Sequence, residues 1–357
     1  MPTIKADDMY VRLTGRIAVE NNEARFYWPS SYAAVRFRGT RIACRVRPHV
    51  VWGCNYLGVV VDGRLSKAPI LMETNDTVQT LVLAENLAPE QSHTVTVFKM
   101  SDCACFYTLL DFETDGDFLP PEPREALRLE FYGDSVTSGC CVEAEDFLAM
   151  PDPPHVNGCF DNAWWSYAWQ CARLLHAEIH STSQGGIAVR SGTGYYHLPD
   201  GIGMDVSWDR LSYIPEAGDF TKWDFSRFVP HAVILALGQN DHHDAVKNTN
   251  DITLSDPETK TAWKEAYKRI ARGIASSYPK GTPLVFITTL IMHDREWDDA
   301  ILEIAEELRA EGIPATRLLF RRAGSGTPGH PRIAEQKEMA LELAEYLKEL
   351  LFVPNEN

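Results

Sequence analysis

Apolar positions change their period once along the chain. Up to about residue 115 they alternate with polar ones or cluster in short β-branched runs, such as Val35-Arg36-Phe37-Arg38, Val59-Val60-Val61 and Thr94-Val95-Thr96-Val97-Phe98. That period of two belongs to half-buried strands. Asn21-Asn22, Asp62-Gly63 and Asn75-Asp76 punctuate the runs with residues suited to tight turns. The pattern predicts a β-sandwich of jelly-roll type over residues 1–115. Asp115-Gly116-Asp117-Phe118-Leu119-Pro120-Pro121-Glu122-Pro123 follows, and its prolines read as a stiff linker over 116–126. From residue 127 to 357 short apolar runs (127–132, 232–237, 284–290) alternate with helical stretches (162–176, 261–278, 298–311, 332–350). Such alternation predicts a parallel sheet with helices on both faces.

Length agrees with two domains, since 357 residues exceed what one core usually fills. Lys+Arg number 34 against 50 Asp+Glu, a net charge of −16. A surface this acidic repels phosphate backbones and argues against a nucleic-acid partner. No apolar run approaches the ~20 residues of a spanning helix, so no membrane role is expected. The start, Met1-Pro2-Thr3-Ile4-Lys5-Ala6-Asp7-Asp8, lacks the layout of a secretion signal, and a cytoplasmic setting is the expectation. Eight cysteines (Cys44, Cys54, Cys103, Cys105, Cys140, Cys141, Cys159, Cys171) include no C-x-x-C pair. They read as thiols of a reducing compartment, not as a disulfide scaffold or zinc site.

Three polar groups leave the ends of predicted strands, where open parallel sheets bind their ligands. Leu129-Glu130-Phe131-Tyr132 runs into Gly133-Asp134-Ser135-Val136-Thr137, which sets a serine hydroxyl at a tight turn beside free backbone N–H groups. Such a place suits a nucleophile whose own N–H helps hold an oxyanion, although Gly, Asp and Ser also make ordinary turns. Val233-Ile234-Leu235-Ala236-Leu237 opens into Gly238-Gln239-Asn240-Asp241. Asn240 there is either a second oxyanion donor or an Asx turn. Gly324-Ser325-Gly326-Thr327-Pro328-Gly329-His330-Pro331 presents a histidine ahead of a long helix, a candidate general base. After a further strand, Gln184-Gly185-Gly186 offers a backbone N–H from a turn that can approach a ligand closely. Gly186 is preferred to Gly185.

At these four blocks the chain resembles the SGNH (GDSL) hydrolase superfamily. The resemblance extends to carbohydrate esterase family 2, in which a β-sandwich precedes the hydrolase domain. It is carried also by residues 161–178, by Trp223-Asp224-Phe225-Ser226-Arg227-Phe228-Val229-Pro230, and by Gly15-Arg16, Trp28-Pro29 and Arg36-Phe37-Arg38-Gly39. It implies an N-terminal jelly roll and a flavodoxin-like three-layer α/β/α hydrolase domain. The implied activity is removal of O-acetyl groups from acetylated xylo- or manno-oligosaccharides through a serine acetyl-enzyme. In that activity Ser135 is nucleophile, His330 is base, and Ser135, Gly186 and Asn240 form the oxyanion hole, with no metal or cofactor.

Two positions depart from the superfamily pattern. Thr327 stands where an Asp three residues before the histidine is common, and no Asp occurs from Ala300 onward. The partner of His330 is then a loop carbonyl, leaving a dyad, or a distant carboxylate such as Asp134 or Asp241. Gln239 stands where Thr is usual, which bears on the placement of Asn240. The segment from Val142 to Phe160, with Glu143, Glu145, Asp146, Asp152 and His155, and the segment Gly192-Thr193-Gly194-Tyr195-Tyr196 are expected at the cleft rim. Trp165 and Trp169 share a helical face, which reads first as core packing. Adjacent His242 and His243 point opposite ways in extended backbone and make a poor metal pair. A lipase, thioesterase or arylesterase, or a glycan-binding protein with a degenerate hydrolase domain, stay as alternatives. The acidic surface favours a neutral sugar over a uronate. Assembly into a homo-oligomer is left open.

Overall fold

The computed structural model describes residues 1–352 apart from 67–68, 73–74, 103, 155–157, 219, 289–290, 292–293 and 323–327. His155, Cys103, Leu290 and the loop residues from Gly324 to Thr327 therefore lie outside the described residues.

The chain divides into two units, and the first holds Met1–Arg124 together with Val156–Cys159 and Leu211–Thr221. It is built from two antiparallel sheets. One runs Gln79–Ala84, Ile42–Val50, Cys105–Thr114, Glu23–Phe26, Ile17–Glu20, with Thr3–Lys5 added against Cys105–Thr114. The other runs Asp117–Leu119, Tyr32–Arg38, Ser92–Lys99, Tyr56–Val61, Arg64–Leu65, joined by Val11–Thr14 and Ile70–Leu71. Ala33, Val35 and Phe37 alternate inward along Tyr32–Arg38 and meet Phe26, Val46, Val97 and Phe112 in one apolar cluster. The period of two in the sequence is thus the pleat of a sandwich whose faces differ. One part of the linker reading is corrected. Asp117–Leu119 is a strand paired with Tyr32–Arg38, because the alternation of Asp117-Phe118-Leu119 continues the sheet before the prolines end it. Leu211–Thr221 joins this unit through Trp28, which stacks on Tyr213 at 3.9 Å and donates Nε1–H to the Leu211 carbonyl.

The second unit centres on a five-stranded parallel sheet: β1 (Leu127–Gly133), β2 (Ala177–Ser183), β3 (Ala232–Ala236), β4 (Leu284–Ile287) and β5 (Ala315–Leu318), in the order β2-β1-β3-β4-β5. Five helices serve it here: α1 (Ser135–Ser138), α2 (Tyr167–Leu174), α3 (Pro257–Ser277), α4 (Arg295–Ala310) and α5 (Ile333–Phe352). They pack as α2 with α5 and α3 with α4, the two sets that right-handed crossovers from a reversing strand order produce. The direction of strand addition reverses at β1, so the crevice at the strands' carboxyl ends opens beside it. The short strand β5 is absent from the predicted set, since Ala315-Thr316-Arg317-Leu318 carries too few apolar residues to signal a buried strand.

Helix α2 corrects the reading of residues 162–176 as one helix. Asn162 caps a separate short turn, Ala163–Trp165, and Ser166 then caps α2 by accepting from the Trp169 N–H. Trp165 therefore lies outside the helix and shares no face with Trp169. Trp169 instead meets Trp164 edge-on at 5.2 Å, and the Arg173 guanidinium lies 3.8 Å above Trp164. Trp169 is a buried packing residue, but through Trp164 and not through a helical face shared with Trp165.

Candidate active site

Ser135 begins α1 directly after β1. Asp134, at the N-cap, accepts the Val136 N–H at 3.1 Å through Oδ1, so its side chain holds the turn that presents the serine. Its other oxygen accepts Nε2–H of Gln239 at 2.6 Å, and Gln239 Oε1 accepts the Ile291 N–H at 2.9 Å. The glutamine at the unusual position thus clamps the Ser135 turn to the segment after β4, which a threonine is too short to do.

Asn240 follows β3 and the Gly185–Gly186 turn follows β2, so both leave the strands flanking β1. One amide hydrogen of Asn240 goes to the Ile187 carbonyl at 3.0 Å. A carboxamide has two, and the second has no acceptor among the described residues. Asp241 accepts the Val189 N–H with both oxygens, at 3.0 and 3.1 Å, and burial pushes its carboxyl up to about 7. Gly186 has φ +75°, and a Cβ there would stand 2.9 Å from Tyr195 Cβ, so a side chain is barred by both backbone and space.

His330 precedes α5, whose N-cap is Arg332. Glu335 reaches back to the Arg332 N–H at 2.9 Å, half of a capping box. Pro331 lies just before the helix. Gln336, fully buried on α5, donates Nε2–H to the Val136 carbonyl at 3.2 Å and accepts the Tyr167 N–H at 2.7 Å. These bonds dock the histidine's helix onto the nucleophile turn.

The partner of His330 is Asp152. Its Oδ2 lies 2.7 Å from His330 Nδ1, and its two oxygens accept the His330 backbone N–H at 3.2 and 3.3 Å. Arg332, 1% exposed, donates to Asp152 Oδ1 at 2.7 Å and also to the carbonyls of His330, Cys141 and Phe147. Neither a loop carbonyl nor Asp134 or Asp241 takes this place, because those two aspartates are already bonded to the Val136 and Val189 N–H groups. Sequence reasoning set Asp152 at the rim only; it stands 178 residues before His330, and the one local hint is the stiff Asp152-Pro153-Pro154. Burial raises the Asp152 carboxyl, but the hydrogen bond and charge of His330, then Arg332, outweigh it and hold the group at about 2. Burial likewise opposes the His330 imidazolium, and the Asp152 hydrogen bond and charge lift it above its ordinary value. His330 Nε2 is buried and has no hydrogen-bond partner among the described residues, which leaves it as the ring atom able to take a proton.

The neighbouring histidines serve the rim. His242 bonds the Gln239 carbonyl through Nδ1 at 2.9 Å and the Tyr195 hydroxyl through Nε2 at 3.0 Å. His243 Nδ1 lies 2.6 Å from Asn250 Oδ1, with the Tyr195 ring stacked on it at 4.0 Å. Both rings meet Tyr195, His242 at its hydroxyl and His243 on its face, and so hold the 192–196 segment.

Residues 13–123 match the family model for the carbohydrate esterase 2 N-terminal domain. The cellulase/esterase CelE of Acetivibrio thermocellus is 25% identical over 350 residues, which cover 92% of this chain and 38% of that protein. The acetylxylan esterase / glucomannan deacetylase of Cellvibrio japonicus is 22% identical over 363 residues, 98% of this chain and 91% of that one. A family two carbohydrate esterase from Clostridium thermocellum, solved with cellohexaose, superposes with a TM-score of 0.78 at 24% identity, covering 96% of this chain and 99% of that one. With an N-terminal family match and relatives that run through both units, the chain is similar in sequence and fold to carbohydrate esterases of family 2.

Proposed function

We propose that the protein is a carbohydrate O-acetyl esterase acting on acetylated xylo- or manno-oligosaccharides through a serine acetyl-enzyme. The observation that carries this reading is the His330–Asp152 pair at 2.7 Å on a helix docked to the Ser135 turn. The printed activities of the two curated relatives support the substrate class. Ser135 Oγ attacks the acetyl carbonyl carbon while His330 Nε2 takes its proton, and the Ser135 N–H, the Gly186 N–H and the second Asn240 amide hydrogen hold the oxyanion. Asp152 keeps the proton of neutral His330 on Nδ1 and stabilises the imidazolium as it forms. His330 then gives its proton to the leaving sugar oxygen. Water, deprotonated by His330, attacks the acetyl-enzyme, and acetate departs as Ser135 regains its proton.

Release of acetate from acetylated xylo- and manno-oligosaccharides tests the reading. Ser135→Ala is expected to abolish it in a protein that melts like the parent. Full activity in that variant, or glycan retention without acetate release by the parent, overturns it. A cytoplasmic setting is part of the same proposal, motivated by cysteines without paired spacing, and cell fractionation checks it. Among the described residues no helix is long and apolar enough to cross a membrane.

A further inference from the structure

The nucleophile turn ends in two adjacent cysteines that no step above uses. Gly139 and Cys141 both have left-handed backbone, φ 81° and 52°, so the chain leaves α1 in a tight coil. Neighbouring side chains on extended backbone point apart. Here Sγ of Cys140, Sγ of Cys141 and a ring nitrogen of His330 all lie within 4.8 Å of one another. Cys141 is buried and Cys140 half-buried. Nδ1 of His330 is held by Asp152, and Nε2 is buried with no hydrogen-bond partner among the described residues, so Nε2 is the ring donor offered to a ligand.

We propose that Cys140, Cys141 and His330 form a binding site for a thiophilic divalent cation such as zinc, and that its occupancy shuts off the esterase. Two thiolates and one imidazole are a donor set that zinc prefers. Zn–S bonds of about 2.3 Å put tetrahedral sulfur ligands about 3.8 Å apart, so donors that lie within 4.8 Å of one another need close by no more than about 1 Å. A water fills the fourth position. Binding releases the two thiol protons to solvent and places the Nε2 lone pair on the metal. That lone pair is the one needed for the Ser135 proton. Asp152 behind Nδ1 supplies the carboxylate–histidine arrangement that orients an imidazole toward a metal, so the contact that serves the base also serves the cation.

The inhibition rests on the esterase reading above, whereas the binding does not. The experiment therefore has two arms on the full chain. Cobalt(II) titration is expected to give one equivalent of binding with thiolate-to-metal charge-transfer absorption and tetrahedral d–d bands. Zinc is expected to lower acetate release at least about tenfold, with recovery on adding chelator. In the Cys140→Ala/Cys141→Ala protein the charge-transfer band disappears, and about tenfold more zinc is needed for the same effect, while metal-free turnover is retained. Cys140→Ala alone, at the half-buried position, supplies the comparison should the double variant fold poorly. A parent protein that binds cobalt without a thiolate band overturns the site, whatever its enzymatic activity. Equal zinc sensitivity in parent and variant, or a thiolate band with undiminished turnover, overturns the inhibitory role.

Discussion

Asp152→Asn tests the part of the site that no local sequence signal marked. The carboxylate touches Nδ1 and the backbone N–H of His330 and one nitrogen of Arg332. The variant keeps the shape, removes the charge and turns an N–H toward Nδ1, which favours the wrong tautomer. The carboxyl's descent from 3.8 to about 2 corresponds to about 2–3 kcal/mol in favour of its ionised form, at about 1.4 kcal/mol per pKa unit. If only that preference is lost, kcat falls about 60-fold. Tautomer reversal and the missing support for a full imidazolium extend the loss toward ~10⁴-fold. Initial rates of acetate release across the neutral pH range provide the assay. His330 must be neutral to accept the serine proton, and its raised pKa sets the acid limb. The limb should therefore move to lower pH in Asp152→Asn as the main lifting cause disappears. Arg332 retains its three carbonyl acceptors, so the variant is expected to fold. A folded variant with kcat within about threefold of the parent and an unmoved acid limb refutes the assignment.

Three further outcomes follow from the same geometry. Asn240→Ala removes an oxyanion donor and the bond to Ile187, and should lower kcat ~10²–10³-fold with little change in KM; a change confined to KM contradicts the role. Gly329→Ala sets a Cβ 2.7 Å from the Asp152 carboxyl carbon, which His330 and Arg332 hold in place, so a melting curve should show a loss of about 1–3 kcal/mol together with activity. Unchanged melting with parental activity contradicts it. The folded pKa of Asp152 is depressed, so its contribution is full above the unfolded value of 3.8 and is lost as pH falls toward about 2. Urea unfolding of parent and Asp152→Asn should thus differ by about 2–3 kcal/mol near pH 6 and converge near pH 2; a constant difference refutes the linkage.

The sequence by itself determined the change from a two-residue to a helical period, and with it the sandwich and the α/β unit, because alternation and amphipathic spacing are local consequences of which face is buried. It also marked Ser135, Asn240 and His330, since each is joined to a recognisable strand end or helix start within a few residues. Short or capped pieces were less legible. Ser166 ends one turn and begins another, and the polar strand β5 has pairing on one edge only, so neither carries a strong period. Tertiary structure alone decided the partner of His330. A carboxylate 178 residues away is selected by a chain path that brings the Asp152-Pro153-Pro154 segment against the α5 N-terminus, and no spacing rule encodes that path. The same holds for Gln239, an oddity in the sequence that becomes a clamp only when Asp134 and Ile291 arrive on either side of it.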